Sequence, residues 1–397
     1  MVSEHASPLA DLGGVDAGGQ NVYVENVARE FGRRGHEVTV YTRRDDPDLP
    51  VRVRLDDGVT VEHVAAGPAT PIAKDDIYRF LGAFTAWLHR SWQADPPDVI
   101  HAHHWMSGAA AMEAADGRIP LVQSFHALGA VKRRHQGAAD TSPTERIEVE
   151  RRIARRADLL IATCIDEQRE LHDLGAPPRR VTIVPGGIDT ARFHPDGPKA
   201  PRSPRRRVLM LGRLVPRKGV DVTIQALRRV PGAELVVAGG PPGGSVHRDP
   251  EVARLRSVAV QHMVEDRVRF IGPIGHDDVP WLLRSADVVA CTPWYEPFGI
   301  VPLEAMGCGV PVVASAVGGM LDTVQHGRTG LHVGARDPEE VGAALRFLLR
   351  DEGRRRRMGA AAAFHVRERY AWPRIVEQLE ERYLEVVGQD VLQEIAR

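Results

Sequence analysis

Two carboxylates eight residues apart carry the most specific chemistry in this chain: Glu296 and Glu304, set in YEPFGIVPLEAMGCGVPVVAS (295–315). A fully helical path of that length rises about 12 Å. The two groups are therefore too far apart to share one proton, and they suit two separate hydroxyl groups on one elongated ligand. Pro302 is tolerated only in a first helical turn, which places the helix start at Phe298, Gly299 and Ile300. The N–H groups there have no intrahelical partner and can hold further hydroxyls. Helix capping beside a surface glutamate is the plain alternative, and it leaves the Glu-Pro-Phe-Gly loop unexplained.

Three other clusters carry chemistry. GRLVPRKGVD (212–221) follows an apolar run and opens a helix. Arg213 and Lys218 there form a natural clamp for a diphosphate, offsetting its charge without a metal; a pair of solvated surface charges is the alternative. In DAGGQNVYV, Gly18 and Gly19 precede a helix, so backbone N–H groups and the helix N-terminus can approach an anion; a tight turn without a ligand would need the same glycines. His126 ends the run PLVQSFH (120–126), with cations just beyond in VKRRHQG. It suits a hydrogen-bond donor to a sugar hydroxyl or a proton carrier, against the alternative of a satisfied structural histidine. HAHHW brings His101, His103 and His104 together, but His101 and His103 share one strand face and no carboxylate or cysteine pattern completes a metal site. Strand-end packing is the expectation there. DDPD (45–48) reads as a solvated loop, and no metal is expected.

Short apolar runs alternating with helical periodicity must position these groups, and that alternation is the signature of parallel sheets wrapped by helices. Strands are expected at 37–43, 59–65, 98–103, 120–126, 159–164 and 181–187, and again at 207–214, 234–240, 267–273, 287–294, 311–317 and 330–334. Tyr23, Val27 and Phe31 recur at helical spacing and predict a helix over 20–34, ended by Gly35. An opening parallel strand needs about five or six apolar residues, yet only Met1 and Val2 precede the polar Ser-Glu-His; the first strand is either very short or begins upstream of this sequence. HPDGPKAPRSPRRR (194–207) reads as an exposed linker. The Arg run 354–357, between expected helices 337–350 and about 358–370, reads as a solvated helix face. In ligand-binding α/β domains of this kind the site lies beyond the carboxyl ends of the strands, which is where the four clusters fall.

The chain has 397 residues, enough for two or three domains. Its 52 Lys plus Arg against 53 Asp plus Glu give a formal net charge of -1, so no global field exists to hold nucleic acid or an anionic membrane. No apolar run approaches the roughly 18 residues of a membrane span, and the N-terminus lacks the basic and apolar regions of a signal peptide. A cytoplasmic protein is expected, without integral membrane contact. Cys164, Cys291 and Cys308 are too widely spaced for a zinc pattern or a disulfide framework and read as buried free thiols.

Taken together, GGVDAGGQNVYV, HAHHW, SFHALG, ERIEVE, GRLVPRKG and the E-x(7)-E element resemble glycosyltransferase family 4, over nearly the whole chain. The resemblance implies an α/β protein of GT-B fold, two Rossmann-like domains facing a central cleft. The implied domains are 1–195 for the acceptor, 206–371 for the nucleotide sugar, and a C-terminal helix 372–397 crossing back to the first. It implies a retaining hexosyltransferase acting from a nucleotide diphosphate sugar, with UDP foremost, although no side chain of IGPIGHDD (271–278) reads the base. No cofactor or metal is implied. Arg213 and Lys218 would bind the donor diphosphate, Glu304 the ribose hydroxyls, and Glu296 with the N–H groups of Phe298, Gly299 and Ile300 the donor sugar; Gly18 and Gly19 would join them. His126 would meet the reacting face of the sugar, so that His126, Glu296, Arg213 and Lys218 form the implied catalytic set. The first half is similar to the branches whose acceptor is a small phosphorylated sugar or cyclitol, and Gly19, Gln20, Lys74, Lys132 and Arg146 match their acceptor contacts. Ala127 stands where those branches carry a hydroxyl, so one contact is missing. An unphosphorylated natural-product or lipid-linked acceptor, a non-catalytic nucleotide-sugar-binding protein and a nucleotide-sugar epimerase are the alternatives. The oligomeric state is not legible.

Overall fold

The computed structural model describes residues 1–10, 18–137, 140–240 and 246–395. Residues 13–17 of the glycine-rich stretch and the last two of the expected C-terminal helix lie outside them. The chain divides into two compact units, Met1–Pro185 with Trp372–Arg397, and Gly186–Ala371.

In the first unit the strands are β1 (Val38–Arg43), β2 (Arg52–Asp56), β3 (Val59–Val64), β4 (Ile100–His103), β5 (Leu121–Ser124), β6 (Leu159–Ala162) and β7 (Val181–Ile183). They pair in the orders β2-β3-β1 and β4-β5-β6-β7, parallel except for β2 against β3. The very short opening strand joins the two groups. Val2, fully buried, bridges Tyr41 on one side and Ala102 on the other, both parallel. Val2 N donates to His101 O and Ser3 N to Tyr41 O, each at 2.9 Å. Four residues suffice because both edges of the segment are hydrogen-bonded, so the ladder supplies what a longer apolar run would. β2 was not expected from the sequence. RVRLD alternates charge with apolar residues and stays largely exposed, as an edge strand can.

The helix Gly19–Arg33 forms as the spacing predicts: Tyr23, Val27 and Phe31 are buried and Gly35 ends it with φ of +92°. It shares one face of the sheet with the helix Trp372–Ile395, packing Tyr23, Val27 and Phe31 with Trp372, Ile375, Val376 and Leu379 over Val122, Leu159 and Ile161.

The second unit contains β8 (Arg206–Leu211), β9 (Ala233–Ala238), β10 (Val268–Gly272), β11 (Val288–Cys291), β12 (Val312–Ser315) and β13 (Gly330–Val333). All are parallel, in the order β10-β9-β8-β11-β12-β13. Numbered from the start of the unit, this is 3-2-1-4-5-6, the doubly wound dinucleotide-fold order whose switch point lies between its first and fourth strands. Period-two alternation assigns the two faces. Val208, Met210, Leu235 and Val237 pack one way against Ile224, Leu227, Leu345 and Leu348, while Leu209, Val236 and Val289 pack the other way against Leu282, Leu303 and Met306.

Two expectations need correction. The segment 194–207 is no free linker, since it is tied into the second unit by its own arginines and their neighbours. Arg207 donates to Glu234 (2.9 Å), Ser285 Oγ (2.8 Å) and Pro201 O (3.0 Å), Ser203 Oγ donates to Glu234 (2.9 Å), and Arg284 donates to His194 O (2.9 Å). Proline and arginine density marked this stretch as solvated, but guanidinium groups are also the donors best able to satisfy an irregular backbone. The arginine run 354–357 lies inside the helix Glu352–Arg369, not between helices. Arg356 and Arg357 are exposed and Arg354 lies over the Phe347 ring at 3.8 Å, but Arg355 is buried, donating to Leu348 O and Leu349 O, the open carbonyl end of the helix Pro338–Leu349, and pairing with Asp287 at 3.3 Å. DDPD is an exposed loop, and Cys164, Cys291 and Cys308 are buried and free, as the sequence indicates.

Arg207 and Glu234 are both buried, so removing one partner leaves a charge unpaired. Glu234→Leu should destabilise the second unit by about 3–5 kcal/mol, and the double variant Arg207→Met/Glu234→Leu should recover most of it. Denaturant titrations of the three proteins check this; a double variant no more stable than the single would contradict it.

Candidate active site

In the second unit the site forms at the switch point, where the chain leaving β8 meets the chain leaving β11. Gly219 sits at φ of +66°, and a Cβ there would lie 2.0 Å from the Thr292 carbonyl oxygen, so only glycine allows the approach. Thr292 Oγ1 donates to Gly219 O at 2.8 Å and shares a second hydrogen bond with Thr223 Oγ1 at 3.0 Å. Trp294 N donates to Arg217 O (3.1 Å), and the Arg217 guanidinium returns a bond to Tyr295 O (3.2 Å). These contacts fix the loop that carries Lys218 against the loop that carries Glu296. Lys218 Nζ reaches Glu296 Oε2 at 2.5 Å, with Arg217 3.8 Å from the same oxygen. The structure thus joins an expected diphosphate cation to the expected sugar carboxylate. Arg213, at the end of β8, is exposed to solvent.

Glu296 stands in the loop and Glu304 within the helix Ile300–Gly307, so the path between them is not wholly helical. Gly299 caps this helix at φ of +90°, and Pro302 is its third residue, in the tolerated first turn. Gly318 and Gly319 lie close beneath the loop, Gly319 N donating to Glu296 O at 3.2 Å. Phe298 and Gly299 are thereby held at a helix start whose first N–H groups have no intrahelical acceptor. Glu304 is buried, which pushes its carboxyl up to about 7, while the positive charge of Arg192 pulls it down.

In the first unit the expected residues gather in two groups. Around the ends of β4 and β5 lie His126, Lys74 and Gln20. His126 adopts φ of +59°, in the left-handed region that a residue with a side chain rarely enters. Its Nε2 meets His103 Nδ1 at 3.1 Å. Burial, and then the charges of Lys74 and His5, push the His126 imidazole down to about 3, so the ring is neutral. Gln20 is already committed, its amide donating to the Ser3 hydroxyl (3.2 Å) and to the His103 carbonyl (3.3 Å). Gly18 is extended at φ of -152° and its N–H donates to Asn21 Oδ1 at 3.1 Å, closing the start of the helix that Gly19 opens.

The second group is Lys132 and Arg146. Lys132 Nζ pairs with Asp140 at 3.0 Å and donates to Ser142 Oγ at 2.9 Å. Arg146 is buried, donating to Glu150 (2.8 Å), Ser142 Oγ (3.1 Å) and Ala127 O (2.6 Å). Glu150 also accepts from Gly129 N at 2.9 and 3.0 Å. Arg146 and Glu150 together grip the backbone on both sides of Leu128, and so hold the strained turn at His126. Glu150 was not singled out from the sequence, though its spacing of four from Arg146 in ERIEVE is a helical ion-pair signal.

The histidine stretch also needs correction, because a carboxylate does join it. Glu4 accepts from His5 Nδ1 (2.6 Å) and His104 Nδ1 (3.3 Å) and is bonded by Ser107 Oγ. Glu4 lies almost a hundred residues away in sequence, so no local spacing could reveal it. The strand-end packing of His101 and His103 stands, their ring centroids 4.0 Å apart. Among the described residues no helix is long and apolar enough to cross a membrane.

Glu304 yields a pH test. Its carboxyl, at about 7 in the folded chain against 4.5 ordinarily, binds its proton more tightly when folded. Its contribution to stability is therefore full below pH about 4.5 and is lost as pH rises through about 7, by about 3 kcal/mol. Denaturation of Glu304→Gln across that window should show a flatter profile than the wild type; parallel profiles would contradict the assignment.

Comparison with known proteins accords with this geometry. Residues 17–192 match the family described as Glycosyltransferase Family 4, and residues 196–364 match Glycosyl transferases group 1. The chain is 39% identical to the D-inositol 3-phosphate glycosyltransferase of Acidothermus cellulolyticus, over 95% of this chain and 88% of that one. It is likewise 39% identical to the protein so named in Kineococcus radiotolerans, over 98% and 95%. Among solved structures, a sucrose-phosphate synthase from Thermosynechococcus elongatus superimposes with a TM-score of 0.86 at 28% identity, covering 98% of each chain. Parallel sheets in this strand order, the switch-point carboxylates and these relatives agree: the chain belongs to the family 4 glycosyltransferases, hexosyltransferases of GT-B fold.

Proposed function

We propose that this chain moves a hexosyl group from a nucleotide diphosphate sugar, with UDP the first diphosphate to try, to a small phosphorylated sugar or cyclitol, with retention of configuration and without a metal or other cofactor, in the cytoplasm. The observation that carries this reading is the pairing of Lys218 with Glu296 at the switch point, in the loop that leads into the helix Ile300–Gly307 and its buried Glu304. A cation for a leaving diphosphate, a carboxylate for sugar hydroxyls and a carboxylate for ribose hydroxyls are the three functions a nucleotide sugar demands. The relatives named for D-inositol 3-phosphate support the acceptor class.

In the reaction the bond from the sugar C1 to the diphosphate oxygen breaks and a bond from C1 to an acceptor hydroxyl oxygen forms on the same face. The departing diphosphate oxygen takes the acceptor's proton. Arg213 and Lys218 lower the barrier by neutralising charge that grows on the diphosphate. Lys74, beside His126 and His104, is the cation best placed for an acceptor phosphate.

An acceptor without phosphate is the second reading, and one observation favours it. Lys132 and Arg146, two of the expected phosphate contacts, are held by Asp140 and Glu150, and Ala127 offers no hydroxyl.

Metal-free calorimetric titration with UDP, GDP and ADP tests the donor half. One diphosphate should bind, and Glu304→Ala should weaken it by about 10- to 100-fold, the loss of hydrogen bonds to a charged group. If none binds, the donor assignment is wrong. Product formation with D-inositol 3-phosphate and with unphosphorylated inositol tests the acceptor half: a strong preference for the phosphate supports the first reading, and equal rates support the second.

A further inference from the structure

His126 meets its neighbour through one shared hydrogen. His103 Nδ1 and His126 Nε2 are 3.1 Å apart, with ring planes within 27° of each other. A neutral imidazole carries its proton on one nitrogen only, so either His103 donates to His126 or the reverse. The far nitrogen of His103 decides between them. His103 Nε2 is fully enclosed and has no hydrogen-bond partner among the described residues. A stranded N–H there would be an unmade donor in the interior, whereas a bare lone pair is the milder defect. The His103 proton therefore sits on Nδ1 and points at His126 Nε2. That nitrogen must accept, and the His126 proton is left on Nδ1, the ring nitrogen turned away from His103.

The surroundings hold both rings in place. His101 lies against His103 with ring centroids 4.0 Å apart and planes tilted by 41°, and is itself anchored by Tyr383 Oη (2.5 Å) and Ser124 Oγ (2.8 Å). Tyr23 lies against His103 at 5.6 Å and edge-on to His126 at 5.1 Å. Among the described residues the titratable groups acting on the pair are His101, Lys74, His5 and the N-terminus, and none of these is a carboxylate that would draw a second proton onto either ring.

We propose that His103 is a positioning residue that locks His126 in the tautomer protonated on Nδ1, so that His126 meets the sugar as a hydrogen-bond donor and accepts no proton during transfer. The role toward sugar rests on the transferase reading above; the tautomer itself does not. This tautomer separates two functions that residue type alone left open, donor and proton carrier. It also requires the acceptor's proton to leave by another route, which the departing diphosphate oxygen supplies.

Long-range nitrogen–proton correlation spectra of the full chain, labelled with nitrogen-15 in histidine, test this directly, with His126 assigned by loss of its signals in His126→Gln. The expected pattern is a protonated Nδ1 and a bare Nε2 on both His103 and His126; a protonated Nε2 on His126 overturns the proposal. His103→Asn, whose amide N–H replaces the Nδ1 donor, should keep the His126 pattern and most of kcat. His103→Leu should leave His126 as a mixture of tautomers and lower kcat by about tenfold, the scale of one hydrogen bond, with little change in the donor KM. An unchanged His126 tautomer in His103→Leu would also overturn it. Absence of turnover in the wild type would instead count against the transferase reading and leave the tautomer readable.

Discussion

A single close backbone approach organises the second unit's chemistry. Gly219 passes so near the Thr292 carbonyl that no side chain could stand between them, and two threonine hydroxyls and the Arg217 backbone close the gap. The strand order makes this possible, because β8 and β11 are sheet neighbours although β9, β10 and their helices lie between them in sequence. Without that contact Lys218 and Glu296, 78 residues apart, would have no reason to meet. Glu304 then follows from the helix that the left-handed Gly299 starts, and its burial in that helix is what raises its carboxyl.

The first unit solves a related problem with charge in place of a close approach. His126 must hold a left-handed backbone at the end of β5, and Arg146 and Glu150 fix the turn by gripping Ala127 O and Gly129 N. The ion pair is buried and internally satisfied, the condition under which such a pair specifies geometry. Its residues thereby give up some of the capacity for an acceptor that their types suggest. A charged residue near a site can hold the site's shape as readily as it can hold a ligand, and only its partners tell the two apart.

Most of the framework was legible because parallel strands buried on both faces read as short apolar runs, and the twelve expected strands all occur, usually a residue or more shorter. β2 escaped because an exposed edge strand carries no such run. The segment 194–207 and the arginines of 354–357 were misread for one reason: composition reports charge, and a guanidinium donating to carbonyls has the same composition as one in water. At the candidate site, local spacing revealed Glu296, Glu304 and Lys218, since loop and helix chemistry is nearly contiguous there. Glu4, Glu150 and the His103 contact to His126 were invisible as functional partners, because they depend on which strand ends the sheet places side by side.

The switch-point loops of the second unit are the proposed place where a nucleotide sugar is held. A crystal structure of the chain grown with the nucleoside diphosphate that calorimetry selects, in the absence of divalent metal, examines this most directly. The diphosphate oxygens should lie on Lys218 and Arg213 and the ribose hydroxyls on Glu304. A diphosphate bound elsewhere, or a ribose that leaves Glu304 untouched, would contradict it.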